Sequence, residues 1–124
     1  MALTILTTDD SKFQRNVIKK ELTALLEGRE ITFFEASNGL EALSLLKSEK
    51  IDLMFLDLTM PEMDGYQVLG KIQEEGIDVK VIVVSADIQP KALKRVQELG
   101  AVGFVKKPMD GKKAEPIILK SGVL

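Results

Sequence analysis

The side chains that could do chemistry stand just past the ends of short apolar runs. Asp9 and Asp10 come shortly after LTIL (3–6), Asp57 closes the run IDLMFL (51–56), Ser85 follows VKVIVV (79–84), and Lys107 follows VGFV (102–105). If those runs are strands of one open parallel sheet, all of these residues lie on its carboxyl edge, where such sheets bind ligands. With the first and third strands adjacent, as in the order 2-1-3-4-5, Asp9, Asp10 and Asp57 converge. Three carboxylates that close repel one another, and a divalent cation resolves the conflict. An all-oxygen donor set without histidine or cysteine points to Mg²⁺ or Mn²⁺. A carboxylate beside such an ion can act as a nucleophile toward phosphorus. Phosphoryl transfer then needs positive charge and donors around the equatorial oxygens. Lys107 offers the charge and Ser85 a hydroxyl.

Each of these residues also has a plainer reading. An acid pair ahead of a helix is often a cap that complements the helix dipole. An aspartate after a strand is often a turn residue. Ser85 could be packed, and Lys106–Lys107 could be a solvated pair. The argument for chemistry rests on all of them falling on one edge of one sheet.

The elements that must position them follow from periodicity. LTIL precedes a helix pattern carried by Phe13, Val17, Ile18, Leu22, Leu25 and Leu26, opened by Ser11 and Gln14 in capping-box spacing. ITFFEA (31–36) is the second strand, and Asn38 and Glu41 frame a helix striped by Ala42, Leu43 and Leu46. The third strand leads to Tyr66, Leu69 and Ile72, and the fourth to Ala92, Leu93, Val96 and Leu99, with Gly100 placed to end that helix. VGFV is the fifth strand, and a weaker helix pattern runs from about residue 110. Alternating strands and helices predict an α/β fold, a doubly wound five-stranded parallel sheet with helices on both faces. The nearly unbroken apolar runs fit strands covered on both sides. Neither a linker nor a second domain is visible, so residues 1–124 read as one domain.

Composition narrows the function. Of 124 residues, 45% are hydrophobic and 29% charged, which suits a packed core. Seventeen basic against nineteen acidic residues give a net charge of −2, which calls for no nucleic acid and no anionic membrane. The absence of histidine and cysteine removes histidine acid–base catalysis, thiol chemistry and a disulfide framework. The start, MALTILTTDD, lacks the basic region of a secretion signal, and no apolar stretch approaches the ~20 residues of a membrane span. The expected setting is the cytoplasm.

The same residues carry a resemblance. DDS after the first strand, ASNGLEAL entering the second helix, DLTMPEMDG after the third strand, VSA after the fourth and GAVGFVKKP through the fifth resemble the receiver domain of bacterial response regulators. The likeness is greatest to the single-domain chemotaxis type (CheY-like) and spans residues 3 to 108 without an evident gap. It implies a flavodoxin-like sheet of order 2-1-3-4-5, an order that belongs to the family rather than to the spacing. It implies that Asp57 accepts a phosphoryl group from a phosphohistidine on a sensor histidine kinase. Asp10 would hold Mg²⁺ (or Mn²⁺) directly, Asp9 mostly through water, and Thr59 through its backbone carbonyl. Ser85 and Lys107 would bind phosphoryl oxygens, and Phe104 occupies the place of the switch aromatic. Thr59 and Asp87 would tune the phosphoryl lifetime, and a cis peptide bond would join Lys107 to Pro108. The chain would be a phospho-accepting switch of a two-component system rather than an enzyme. With no output domain, it would signal through a protein partner, and a phosphatase could be another.

Two alternatives are set against this. A haloacid-dehalogenase-type phosphatase also uses a strand-end aspartate and Mg²⁺, but would need an acid two residues on, where Thr59 stands. A degenerate receiver serving only as an interaction module would not need Asp10, Asp57 and Lys107. The chain departs from the family at Phe104, often tyrosine, and in the tail MDGKKAEPIILKSGVL. A helix from Asp110 to Ser121 would bear about 3 kcal/mol for Pro116 and a further ~1 kcal/mol for Gly111. The expectation is a late start near Ala114 or Glu115, with Ile117, Ile118 and Leu119 meeting the core. The partner face made by the fourth helix, fifth strand and fifth helix would be shortened, favouring a dedicated partner and a monomer in both phosphorylation states.

Overall fold

The structure is a computed structural model that describes residues 2–86 and 89–124. Strands β1 (Ala2–Thr8), β2 (Glu30–Ala36), β3 (Leu53–Leu56), β4 (Lys80–Ser85) and β5 (Gly103–Lys106) alternate with helices α1 (Lys12–Leu25), α2 (Gly39–Ser48), α3 (Gly65–Glu75), α4 (Pro90–Glu98) and α5 (Gly111–Ser121). The sheet is parallel with order β2-β1-β3-β4-β5. The expected architecture and strand order are therefore present, with strand boundaries displaced by one or two residues.

Alternation of side chains along the strands builds two cores. One sheet face, carrying Leu6, Met54, Leu56 and Val83, packs against Leu43, Val68, Leu69 and Val96 from α2, α3 and α4. The other, carrying Ile5, Leu53, Phe55 and Ile82, packs against Ile18 and Leu22 of α1 and Ala114 and Ile118 of α5. Phe55 and the rest of β3 are wholly buried, which is why that run is apolar without a break.

Local signals set the helix starts. Ser11 accepts from Gln14 N and Asn38 from Glu41 N. The reciprocal half of a capping box is not made at Ser11, since Gln14 Oε1 is buried without a hydrogen-bond partner among the described residues. Glu41 bonds Ser37 instead. Leu99 caps α4, and Gly100 follows with φ of 95°, a left-handed conformation suited to glycine. The Lys107–Pro108 bond is cis.

The tail corrects the sequence reading. The fifth helix starts at Gly111, with Asp110 as N-cap and Pro116 inside it. Asp110 Oδ1 accepts from Lys112 N at 2.9 Å, and Gly111 N donates to Glu21 Oε1 of α1 at 3.0 Å. The buried stripe is Gly111, Ala114 and Ile118, whereas Leu119 is exposed. The face formed by α4, β5 and α5 is not shortened, so the argument for a monomer drawn from its shortening fails.

Candidate functional site

The site stands where β1 and β3 end side by side. Thr8 pairs with Leu56 in register, and Asp57 N donates to Thr8 O at 2.9 Å, so the next residue of each chain emerges at the same edge. One carboxylate oxygen from each of Asp9, Asp10 and Asp57 lies within 4.8 Å of the other two. Asp9 and Asp57 are buried and Asp10 is exposed. Beyond Asp57 the chain turns at once. Met63 N bonds Pro61 O at 2.7 Å, Glu62 takes a left-handed φ of 66°, and Gly65 N reaches back to Leu58 O at 3.0 Å. A full capping box, Asp64 with Gln67, then starts α3.

Lys107 is the cation of the cluster. Its Nζ is 2.9 Å from Asp9 Oδ2 and 3.3 Å from Asp57 Oδ1. Burial opposes the ammonium charge, but contact with Asp9 and Asp57 outweighs it, and the pKa of Lys107 is raised above that of an ordinary lysine. Asp57 is also raised: burial first and the charge of Asp9 second exceed the opposing pull of Lys107 and of the Thr59 backbone N–H. Asp9 Oδ1 accepts from Ser11 N at 2.9 Å. Its Oδ2, although close to the ammonium, is buried without a well-directed hydrogen bond. An ill-satisfied buried oxygen among three carboxylates is the environment a hard divalent cation fits, and these residues could hold Mg²⁺ or Mn²⁺.

An open cleft of about 380 Å³ is lined by Asp10, Asp57, Thr59, Ser85, Ala86 and Lys107, with Asp9 almost fully buried beside it. The residues singled out from sequence thus come together with one exception. Phe104, in register with Val83, lies partly buried on the α2–α3–α4 side and lines a separate cavity of about 220 Å³ with residues of α4 and β5. Asp87 lies outside the described residues.

Sequence reasoning missed Arg15 and Glu35. Arg15 Nη1 donates to the Asp9 carbonyl at 2.7 Å and Nε to Glu35 Oε1 at 2.9 Å; Lys19 Nζ is 3.0 Å from Glu35 Oε2. Their signal was the register: Glu35 pairs with Thr7, two residues past the Ile5–Phe33 pair that packs on the α1 side.

The family model for the response regulator receiver domain matches residues 5–118. The chain is 35% identical over 121 residues to the chemotaxis protein CheY of Bacillus subtilis, covering 98% of each chain. It is 32% identical over 108 residues to CheY of Halobacterium salinarum, covering 87% of each. Among solved structures, it is similar to a chain of the CheX–CheY–BeF3–Mg²⁺ complex from Borrelia burgdorferi. The TM-score is 0.86 and the identity 32%, over 96% of this chain and 88% of that one.

Proposed function

The chain belongs to the response regulator receiver domain family, whose members are phospho-accepting switches of two-component signalling, and from that premise we propose that Asp57 is its phosphoryl acceptor. The observation that carries the assignment is the convergence of three carboxylates within 4.8 Å of one another, two of them, Asp9 and Asp57, in contact with the Lys107 ammonium. Asp57 lines the open cleft, so an incoming phosphorus can reach it, whereas Asp9 is closed in.

In the proposed reaction an Asp57 carboxylate oxygen attacks the phosphorus of a kinase phosphohistidine. The P–N bond breaks and its electron pair returns to the imidazole, leaving an acyl phosphate on Asp57. Mg²⁺ or Mn²⁺, held by Asp9, Asp10, Asp57 and the Thr59 carbonyl, would supply positive charge to the phosphoryl oxygens. Lys107 stays protonated and exchanges part of its contact with Asp57 for one with a phosphoryl oxygen. Ser85, at the end of β4 on the cleft wall, donates its hydroxyl to another. Drawing Ser85 inward shifts a two-state balance in which Phe104 moves toward the core. Thr59, at the cleft mouth, and Asp87 tune how long the phosphoryl group persists.

The chain acts as a cytoplasmic switch and does not turn over a separate substrate. Its partners are a sensor histidine kinase and a protein that reads the phosphorylated form. The Borrelia complex, which pairs CheY with CheX in the presence of BeF3 and Mg²⁺, supports partner binding in a phosphoryl-like state. No helix among the described residues is long and apolar enough to cross a membrane.

Intact mass measurement with acetyl phosphate tests the assignment. A single phosphoryl adduct is expected with Mg²⁺, and none in EDTA or in Asp57→Asn. An adduct surviving either change would overturn it.

A further inference from the structure

The acidic turn is held from behind. Asp9 N donates to Ala36 O of β2 at 3.1 Å, and Asp9 O accepts from Arg15 Nη1 at 2.7 Å. Arg15 is itself anchored: its Nε donates to Glu35 Oε1 at 2.9 Å, and its side chain is only 14% exposed. Glu35 is shared with Lys19 at 3.0 Å. The guanidinium therefore bridges the end of β2 to the backbone of the residue that carries the buried carboxylate. Asp10, the neighbouring residue, is exposed.

Resting on the reading of Asp9, Asp10 and Asp57 as a cation site, we propose that Arg15, locked by Glu35, is a positioning residue that fixes the Asp9–Asp10 turn in its cation-binding geometry. The fork of the guanidinium matters: one N–H goes to the carboxylate of Glu35 while another reaches the Asp9 carbonyl. A cation near a metal site ordinarily weakens metal binding by repulsion. Glu35 offsets part of that charge, although it is also paired with Lys19, so the contact orients Asp9 at a reduced electrostatic cost.

If Arg15 acted only as a nearby charge, Arg15→Ala would tighten divalent binding. As a positioning residue, it loosens binding when removed. Partners behind a ligand are typically worth about 10–100-fold in metal affinity, and a contact to a backbone carbonyl belongs at the lower end, about tenfold.

The test is calorimetric titration of Mg²⁺, with Mn²⁺ paramagnetic titration as a second measurement, on the unphosphorylated full chain. Melting in EDTA checks that each variant is folded. Arg15→Ala is expected to bind about tenfold more weakly while folded. Arg15→Lys keeps the charge but cannot make the fork, and serves if the alanine variant does not fold; it is expected to bind several-fold more weakly. Wild-type or tighter affinity in a folded Arg15→Ala, or wild-type affinity in Arg15→Lys, overturns the positioning role. Failure of the wild-type chain to bind either ion overturns the cation site itself, which is a separate result.

Discussion

Gly65 offers a sharp test of how Asp57 is aimed. An alanine there would place its methyl carbon on the Asp57 carbonyl oxygen and 2.8 Å from Leu58 Cα. Both are backbone atoms, so neither can swing aside, and the turn after β3 must shift. Overpacking of this kind costs about 1–3 kcal/mol. Opposing it, alanine gains over glycine in a helix by at most about 1 kcal/mol, and by less at the first helical position. The clash wins, and Gly65→Ala is expected to lower stability by roughly 1–2 kcal/mol. Gly70, five residues on in the same helix, has nothing within 4 Å of its would-be Cβ. There propensity acts alone, and Gly70→Ala is expected to raise stability by about 1 kcal/mol. Urea unfolding reads both as opposite shifts of the midpoint. Acetyl phosphate labelling should slow in Gly65→Ala, because the Asp57 backbone moves, and stay unchanged in Gly70→Ala. A Gly65→Ala protein as stable as wild type would refute the close approach, and a destabilised Gly70→Ala would refute the ledger.

In EDTA, Asp57→Asn should melt higher than wild type at neutral pH. The pKa of Asp57 is raised by burial and by Asp9, so in the metal-free protein its ionisation costs stability once pH rises through the raised value. A lower melting temperature would contradict that sign. Glu35 behaves in the opposite sense: first the Lys19 hydrogen bond and then Arg15 hold its pKa below the usual 4.5. Its contribution is complete above that value and fades as pH falls through the lowered pKa, so the deficit of Glu35→Gln should vanish in strong acid, as read by melting against pH. Pro116 is exposed and lacks the N–H that would reach back along α5. Pro116→Ala is therefore expected to stabilise by up to about 3 kcal/mol in urea unfolding, and no gain would place the cost of that helix elsewhere.

Much of the fold was legible because one physical fact governs it. Parallel strands covered on both faces must be apolar throughout, so Leu53 to Leu56 and Val81 to Val84 announce themselves. The acid cluster was legible because strand ends are where an apolar run stops, and Asp57 stops one. Boundaries were less so. Asp52 belongs to the approach rather than to β3, since its carboxylate accepts from Thr4 N at 2.9 Å and its own N donates to Thr4 O. The Asp64–Gln67 box that starts α3 escaped a periodicity that marks only Tyr66, Leu69 and Ile72. Arg15 and Glu35 were invisible for a different reason: they are 20 residues apart, and it takes both the β1–β2 register and the packing of α1 on that face to bring them together.

The fifth helix shows where local reasoning gave the wrong answer. Summed alone, Pro116 and Gly111 cost about 4 kcal/mol, enough to delay a free helix. The helix is not free. Gly111, Ala114 and Ile118 recur at helical spacing and face α1, while Pro116 sits on the solvent side, where its ring meets water. Burial of Ile118 alone contributes about 1.5–3 kcal/mol. The Asp110 cap adds about 1 kcal/mol. The Gly111 N–H to the Glu21 carboxylate adds about 1.5 kcal/mol as a bond to a charged group. These offset the local cost, so tertiary contact decides the start of α5. Gly103 tells the same story from β5, since a Cβ there would run into the Ile117 side chain. Glycine at Gly103 lets α5 approach the sheet closely, and that approach gives Ile117 and Ile118 their contacts. The start of α5 is therefore set by what the helix docks against, with Gly103 of β5 making room and Pro116 left facing water.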